Sequence, residues 1–205
     1  LAKKQDGGAD GRADTSKKEE IMSTIVVVYH SGYGHTQRMA QSVAQGAGAQ
    51  LLAIDADGNL PDGGWEQLAA ADAIVFGAPT YMAAPSWQFK KFADASSKAW
   101  FAQAWKDKLF AGFSNSASVQ GDKQATLDYF YHLAMQHGGV WVGLGLLPSN
   151  TKAAQRNDVN WMGSFSGAMA QSPSDASAGE MAAGDLETAR QFGERVASAA
   201  ARWAR

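Results

Sequence analysis

Chemistry is concentrated first in Ser31-Gly32-Tyr33-Gly34-His35-Thr36, a run of small and hydroxyl-bearing residues directly after an apolar stretch. A loop of this kind joins a buried strand to a helix N-terminus. Successive backbone N–H groups can then converge on an anion, with Ser31 and Thr36 adding hydroxyl donors. The loop contains no Lys or Arg, so an anion held there is bound by backbone dipoles and hydroxyls. It is neither a P-loop, which needs a Lys before its Ser/Thr, nor a GxGxxG turn, whose third Gly is missing. A plain strand–helix turn sharpened by glycine is the alternative. His30, His35, His132 and His137 fall in pairs five apart, without acidic or Cys partners at fitting spacing, so no metal site is expected. No Gly-x-Ser-x-Gly elbow occurs, which disfavours a serine hydrolase.

The chain has 205 residues and no cysteine. Thiol nucleophiles, thiolate metal sites and disulfides are thereby excluded, and any redox work falls to a bound organic cofactor. A net charge of −2 gives no pull on nucleic acid and no strongly acidic face for an electron-carrier partner. Residues 1–21 carry five basic and five acidic residues with almost nothing apolar. They are expected to be a disordered extension or a vector-derived tail, and residues 22–205 a single domain. No apolar run reaches the length of a membrane span, and no secretory pattern is present, so a soluble, cytoplasmic protein is expected.

The elements that must position the loop alternate along the chain. Strands are expected at 24–29, 51–54, 73–77, 109–113 and 140–144. Helices are expected at 36–47, at 65–71, after the N-cap Ser86, at 123–137 behind the N-cap Asp122, and at 185–203. The stretch 148–184, rich in Pro, Ser, Asn, Gly and Ala, receives no element; Trp161, Met162 and Phe165 are its one large apolar cluster. Alternation of this kind implies an α/β fold with a parallel sheet covered on both faces, and five strands favour the order 2-1-3-4-5. The site is then expected on the loops leaving strands 1, 3 and 4.

Val27-Val28-Tyr29-His30-Ser31-Gly32-Tyr33-Gly34-His35-Thr36 resembles the FMN-phosphate signature of flavodoxins. Its Tyr-Gly-His version is similar to the WrbA-type NAD(P)H:quinone oxidoreductases and the NADPH-dependent FMN reductase family, over about 23–202. The resemblance implies a three-layer αβα flavodoxin-like fold, FMN as cofactor, NAD(P)H as donor and a quinone or similar flat small molecule as acceptor. It places Ser31, Gly32, Tyr33, Gly34, His35 and Thr36 at the phosphate and Pro79, Thr80, Tyr81 and Met82 along the flavin ring. Asn115, Ser116, Ala117, Ser118 and Gly121 then wrap the ribityl chain and the phosphate. His137 falls at the flavin pyrimidine edge, and Tyr33 at the nicotinamide. Trp100 falls where the family sets an aromatic over a neighbouring subunit's flavin, which implies a homodimer or homotetramer.

Two departures stand out. The family's Arg-Phe-Gly-Asn is replaced by Tyr81-Met82-Ala83-Ala84, and of the glycines in its Ser-Thr-Gly-Thr-Gly-Gly run only Gly121 remains. Two other functions therefore stay open: a flavodoxin-type one-electron carrier, and a binding protein on this fold with weak or no FMN. The long segment 148–184 could cover the flavin through Trp161 or Phe165, or be a surface loop.

Overall fold

The unbroken run of buried side chains in β1 (Ile25–His30) belongs to an interior strand, as expected of a parallel sheet covered on both faces. In the computed structural model, which describes residues 23–203, β1 lies between β2 (Gln50–Ile54) and β3 (Ala73–Tyr81), parallel to both. The tail expected over 1–21 lies outside the described residues. At its end β3 folds back onto β4 (Ala84–Pro85) in a tight hairpin. Its other edge pairs in parallel with β5 (Leu109–Ser116).

The fifth place in the sheet is shared. β6 (Val140–Trp141) pairs with the first half of β5, and β7 (Ala168–Gln171) with the second half, Phe113 opposite Ala168 and Ser116 opposite Gln171. The strand expected over 140–144 thus stops at Trp141. The Val142 N–H still reaches the Phe110 carbonyl, but that of Leu144 turns to the Phe165 carbonyl, and the chain leaves the sheet for some 25 residues. It returns as β7, an element unforeseen within 148–184. The order is otherwise the expected one, β2-β1-β3-β5 and then the split edge.

Helices cover both faces. α1 (His35–Ala47) and α6 (Ala183–Trp203) pack Met39, Val43, Phe192 and Val196 against Val27, Val75 and Phe113. The two helices approach closely because Gly46 and Gly193 face each other's backbone. A Cβ at either would collide with a carbonyl, of Arg190 or of Val43. The opposite face carries α2 (Gly64–Ala70), α3 (Trp87–Ala95), α4 (Ser97–Phe101) and α5 (Lys123–Gln136). Its core is aromatic: Phe76 touches Phe89, Phe92, Phe110 and Phe130 with ring centroids 5.3 to 6.5 Å apart. Each such buried ring contributes roughly 1.5–3 kcal/mol.

Neither expected N-cap works through its side chain. The Ser86 hydroxyl pairs instead with His30 Nδ1 at 2.8 Å, and Asp122 takes a left-handed conformation at φ 52° without capping. Among the described residues no helix is long and apolar enough to cross a membrane.

Candidate functional site

The C-terminal ends of β1, β3, β5 and β7 open onto one cavity of about 600 Å³, a size suited to a cofactor. The first loop contributes Tyr33, His35 and Thr36; the end of β3 contributes Pro79, Thr80 and Tyr81; the end of β5 contributes Asn115, Ser116 and Ala117. Nine of the residues singled out in the sequence therefore meet. Ser31, Gly32, Gly34, Met82, Ser118 and Gly121 stand beside or behind this wall. Ser31 is a builder of the loop: its Oγ accepts the N–H groups of Gly34 and Gln37, both at 3.1 Å. Gly34 sits at the N-cap of α1 with φ 88°. The first-turn N–H groups of His35 and Thr36 have no carbonyl four residues back within the helix and remain available to a ligand.

Two directed hydrogen-bond chains make the floor. Ser114 donates its hydroxyl to the Ala78 carbonyl at 2.8 Å, so it accepts from Thr80 at 2.8 Å, and Thr80 in turn accepts from Thr126 at 2.7 Å. The second chain runs from Thr36 Oγ1 to Asn115 Oδ1 at 2.6 Å, and from Asn115 Nδ2 to Ser172 Oγ at 2.8 Å. All these hydroxyls and the amide are buried. A buried chain with every member satisfied is rigid, since each group's alternative is an unpaired dipole.

The fourth wall is Ser172, Pro173, Ser174 and Ala176, just past β7. Sequence reasoning missed these residues; from the same segment it named only Trp161 or Phe165, with a surface loop as the alternative. Phe165 is exposed elsewhere and neither residue lines the cavity. The wall is pinned by His35, whose Nε2 donates to the Ala176 carbonyl at 2.9 Å. The signal was Ser172-Pro173-Ser174 after a short run of small residues, too weakly apolar to announce a strand. Tyr33 and Tyr81 supply the cavity's aromatic surface, the first largely exposed. Burial, with Tyr33 adding to it, holds the Tyr81 phenol above its ordinary pKa, so it stays neutral. Met82 is fully exposed at the hairpin tip.

His137 and Trp100 do not join this cavity. Both line a second one, of about 480 Å³, in the groove that the C-terminal halves of α3 and α5 form with α4, which carries Trp100. α5 explains the separation. Lys123 at its start lies beside the first cavity, and 14 residues of helix carry His137 about 20 Å away. His137 is buried, and its Nε2 donates to Ser96 Oγ at 2.9 Å because Ser96 gives its own hydrogen to the Ala93 carbonyl. Its Nδ1 has no partner. Burial pushes the imidazole down to about 4, so it is neutral at pH 7.

A family model described as NADPH-dependent FMN reductase matches residues 65–152. Flavodoxin FldP of Pseudomonas aeruginosa (strain UCBPP-PA14) is 56% identical over 176 residues, which span 86% of this chain and 96% of that protein. A crystal structure described as the flavodoxin, WrbA-like protein from Agrobacterium tumefaciens is 57% identical, with a TM-score of 0.74 and coverage of 88% of this chain and 98% of that one. The chain belongs to the flavodoxin-like WrbA/FMN reductase family. A member named NAD(P)H dehydrogenase (quinone), from Geotalea uraniireducens (strain Rf4), is 34% identical over 88% of this chain and 99% of its own length. The three-layer αβα arrangement described above is the flavodoxin-like fold of that family.

Proposed function

We propose that this protein binds FMN in the cavity at the strand ends and moves reducing equivalents from NAD(P)H to a quinone or a similar flat acceptor. The observation that carries the reading is the meeting of an uncharged N–H and hydroxyl cradle at the start of α1 with Tyr33 and Tyr81 in one cavity. Bound FMN supplies the capacity to take up a hydride and pass its electrons on. The chain's own residues bind, orient and shield. Ser31 shapes the phosphate loop, and the free N–H groups at His35 and Thr36 face the anion. Tyr81 and Pro79 give the ring a flat apolar wall, and the satisfied chains beneath Thr80 and Asn115 keep that wall from shifting. No side chain acts as a nucleophile.

Trp100 and His137 take part only if a neighbouring subunit brings its own cavity against the α3–α5 groove. Their separation from the cavity of their own chain therefore supports a homodimer or homotetramer, in which each groove completes a neighbour's site. The protein is taken to work in the cytoplasm on small molecules.

A second reading, a one-electron carrier, is favoured by one observation: Tyr81-Met82-Ala83-Ala84 lacks the family's Arg in the loop that borders substrate. Two measurements separate these. A purified protein that shows no flavin spectrum and stays colourless after incubation with FMN defeats both. Rapid bleaching of the bound flavin on mixing with NADH or NADPH supports the enzyme, and a flavin that neither donor bleaches leaves the carrier.

A further inference from the structure

Lys123, the first residue of α5, has no exposed surface. Its three ammonium hydrogens meet three neutral oxygens: Ser116 Oγ at 2.9 Å, the Ser118 carbonyl at 2.9 Å and the Val119 carbonyl at 2.8 Å. The loop after β5 is wound around this ammonium. Gly121 and Asp122 both take positive φ, 51° and 52°, and a Cβ on Gly121 would collide with Ser116 Oγ. Because the carbonyls of Ser118 and Val119 turn inward, the trans peptide planes turn the N–H groups of Val119 and Gln120 outward.

Among the described residues no carboxylate is bonded to the charge at the centre. The charged groups that act on it are Asp185 and Arg156, and these are bound to each other through two hydrogen bonds of 2.9 and 2.7 Å. As a pair they are neutral. A buried cation bonded only to neutral oxygens costs free energy that a neutral residue would not. Its field also reaches further through protein than through water. One hydrogen bond separates it from Ser116, in the wall of a cavity that no Lys or Arg lines.

We infer that Lys123 is a positioning residue for the phosphate of the cofactor: its ammonium both holds the loop after β5 in place of the missing glycines and supplies the positive charge the cavity wall lacks. The inference rests on the FMN reading. It accounts for the departure from the glycine-rich run, since an internal cation pulls the backbone into the tight course that glycines would otherwise permit. Burial holds the amine down to about 8, so its charge is in place at neutral pH and is lost above that.

The test compares FMN with riboflavin, which lacks only the phosphate, on flavin-free protein. Parent protein that binds riboflavin but gains nothing from the phosphate overturns the inference and leaves flavin binding standing; parent protein that binds neither defeats the FMN reading with it. Lys123→Met is expected to weaken FMN by about 30-fold while riboflavin changes by less than about threefold. Equal losses reduce Lys123 to loop packing and overturn the inference. Should that variant not fold, the parent protein alone decides. From pH 7.5 to 10 the phosphate changes its ionisation little, so FMN affinity is expected to fall by about tenfold more than riboflavin affinity. Parallel curves overturn the assignment.

Discussion

The cavity at the strand ends is walled by backbone, hydroxyls and two tyrosines, whereas the groove between α3 and α5 is walled by ionisable and aromatic side chains, among them Lys90, Asp94, Trp100, His132 and His137. In the first, the buried polar groups of the floor sit in chains that end on a backbone carbonyl or a serine hydroxyl. In the second, a buried imidazole keeps an unpartnered nitrogen. The difference is one of completeness. A preorganised cradle can hold a ligand by itself, while the groove offers surfaces that find their use only against something else.

The largest expected effect tests the cradle. Ser31→Ala combined with Thr36→Ala removes the acceptor that folds the loop and the hydroxyl that anchors Asn115. FMN affinity measured by fluorescence titration should fall about 100-fold, and riboflavin affinity by far less. Trp100→Ala, in the groove, should leave FMN affinity within about threefold and act on acceptor turnover instead. If the groove variant weakens FMN as much as the cradle variant does, the two cavities are not separate in function.

The next effect belongs to the groove. The His137 imidazole is held near 4 in the folded chain by burial, against roughly 6.5 when unfolded. Between those values the unfolded state binds more protons, so stability rises with pH. The contribution is complete above about 6.5 and is lost as pH falls toward 4. It amounts to roughly 3 kcal/mol. Urea unfolding at pH 7 and pH 4.5 should show a smaller drop for His137→Gln than for the parent. His30, lowered in the same direction by burial, is common to both proteins and cancels. An identical drop in the two would mean that His137 is solvated and the groove open down to its Nδ1.

A smaller effect returns to the strand ends. Gly121→Ala forces a Cβ against Ser116 Oγ in a left-handed conformation, which costs about 1–2 kcal/mol from the backbone alone. Thermal unfolding should register it, with FMN affinity falling in step. Gly63→Ala is the control, since it shares the positive φ but a Cβ there meets nothing. If both variants lose the same amount, the contact with Ser116 contributes nothing.

Legibility in the sequence divides along the same line. The first loop could be read because a strongly β-branched strand, small residues and a helix follow one another within a dozen positions. The sequence reading and the structure part wherever a tertiary constraint decided. Ser114, Asn115 and Ser116 belong to β5 itself, because β7 extends the sheet past the apolar residues that mark a strand. Ser172–Ala176 went unseen because Ala168-Met169-Ala170-Gln171 has too little apolar bulk to signal a strand until it is packed against β5. His137 was set at the flavin pyrimidine edge by family likeness alone. The length of α5, which a likeness of motifs does not convey, sets it about 20 Å from the start of that helix and beside a different cavity.

The smallest effect bears on the hairpin that joins the two regions, since β3 ends in the cavity and α3 begins the groove. Met82 and Ala83, at its tip, have φ of 48° and 61°. A two-residue hairpin turn of this hand favours Asn and Gly, because a Cβ is crowded at positive φ. Ala83 stands where the family's Arg-Phe-Gly-Asn carries glycine. Ala83→Gly should therefore relieve strain and stabilise the protein by about 1 kcal/mol, raising Tm by about 2–4 °C. The same change lets the tip move, so acceptor turnover and stability need not shift together. A variant with unchanged or lower Tm would show that the glycine's extra freedom in the unfolded chain outweighs the relief. The strained tip would then be a device that holds Tyr81 against the cavity, at no net cost to stability.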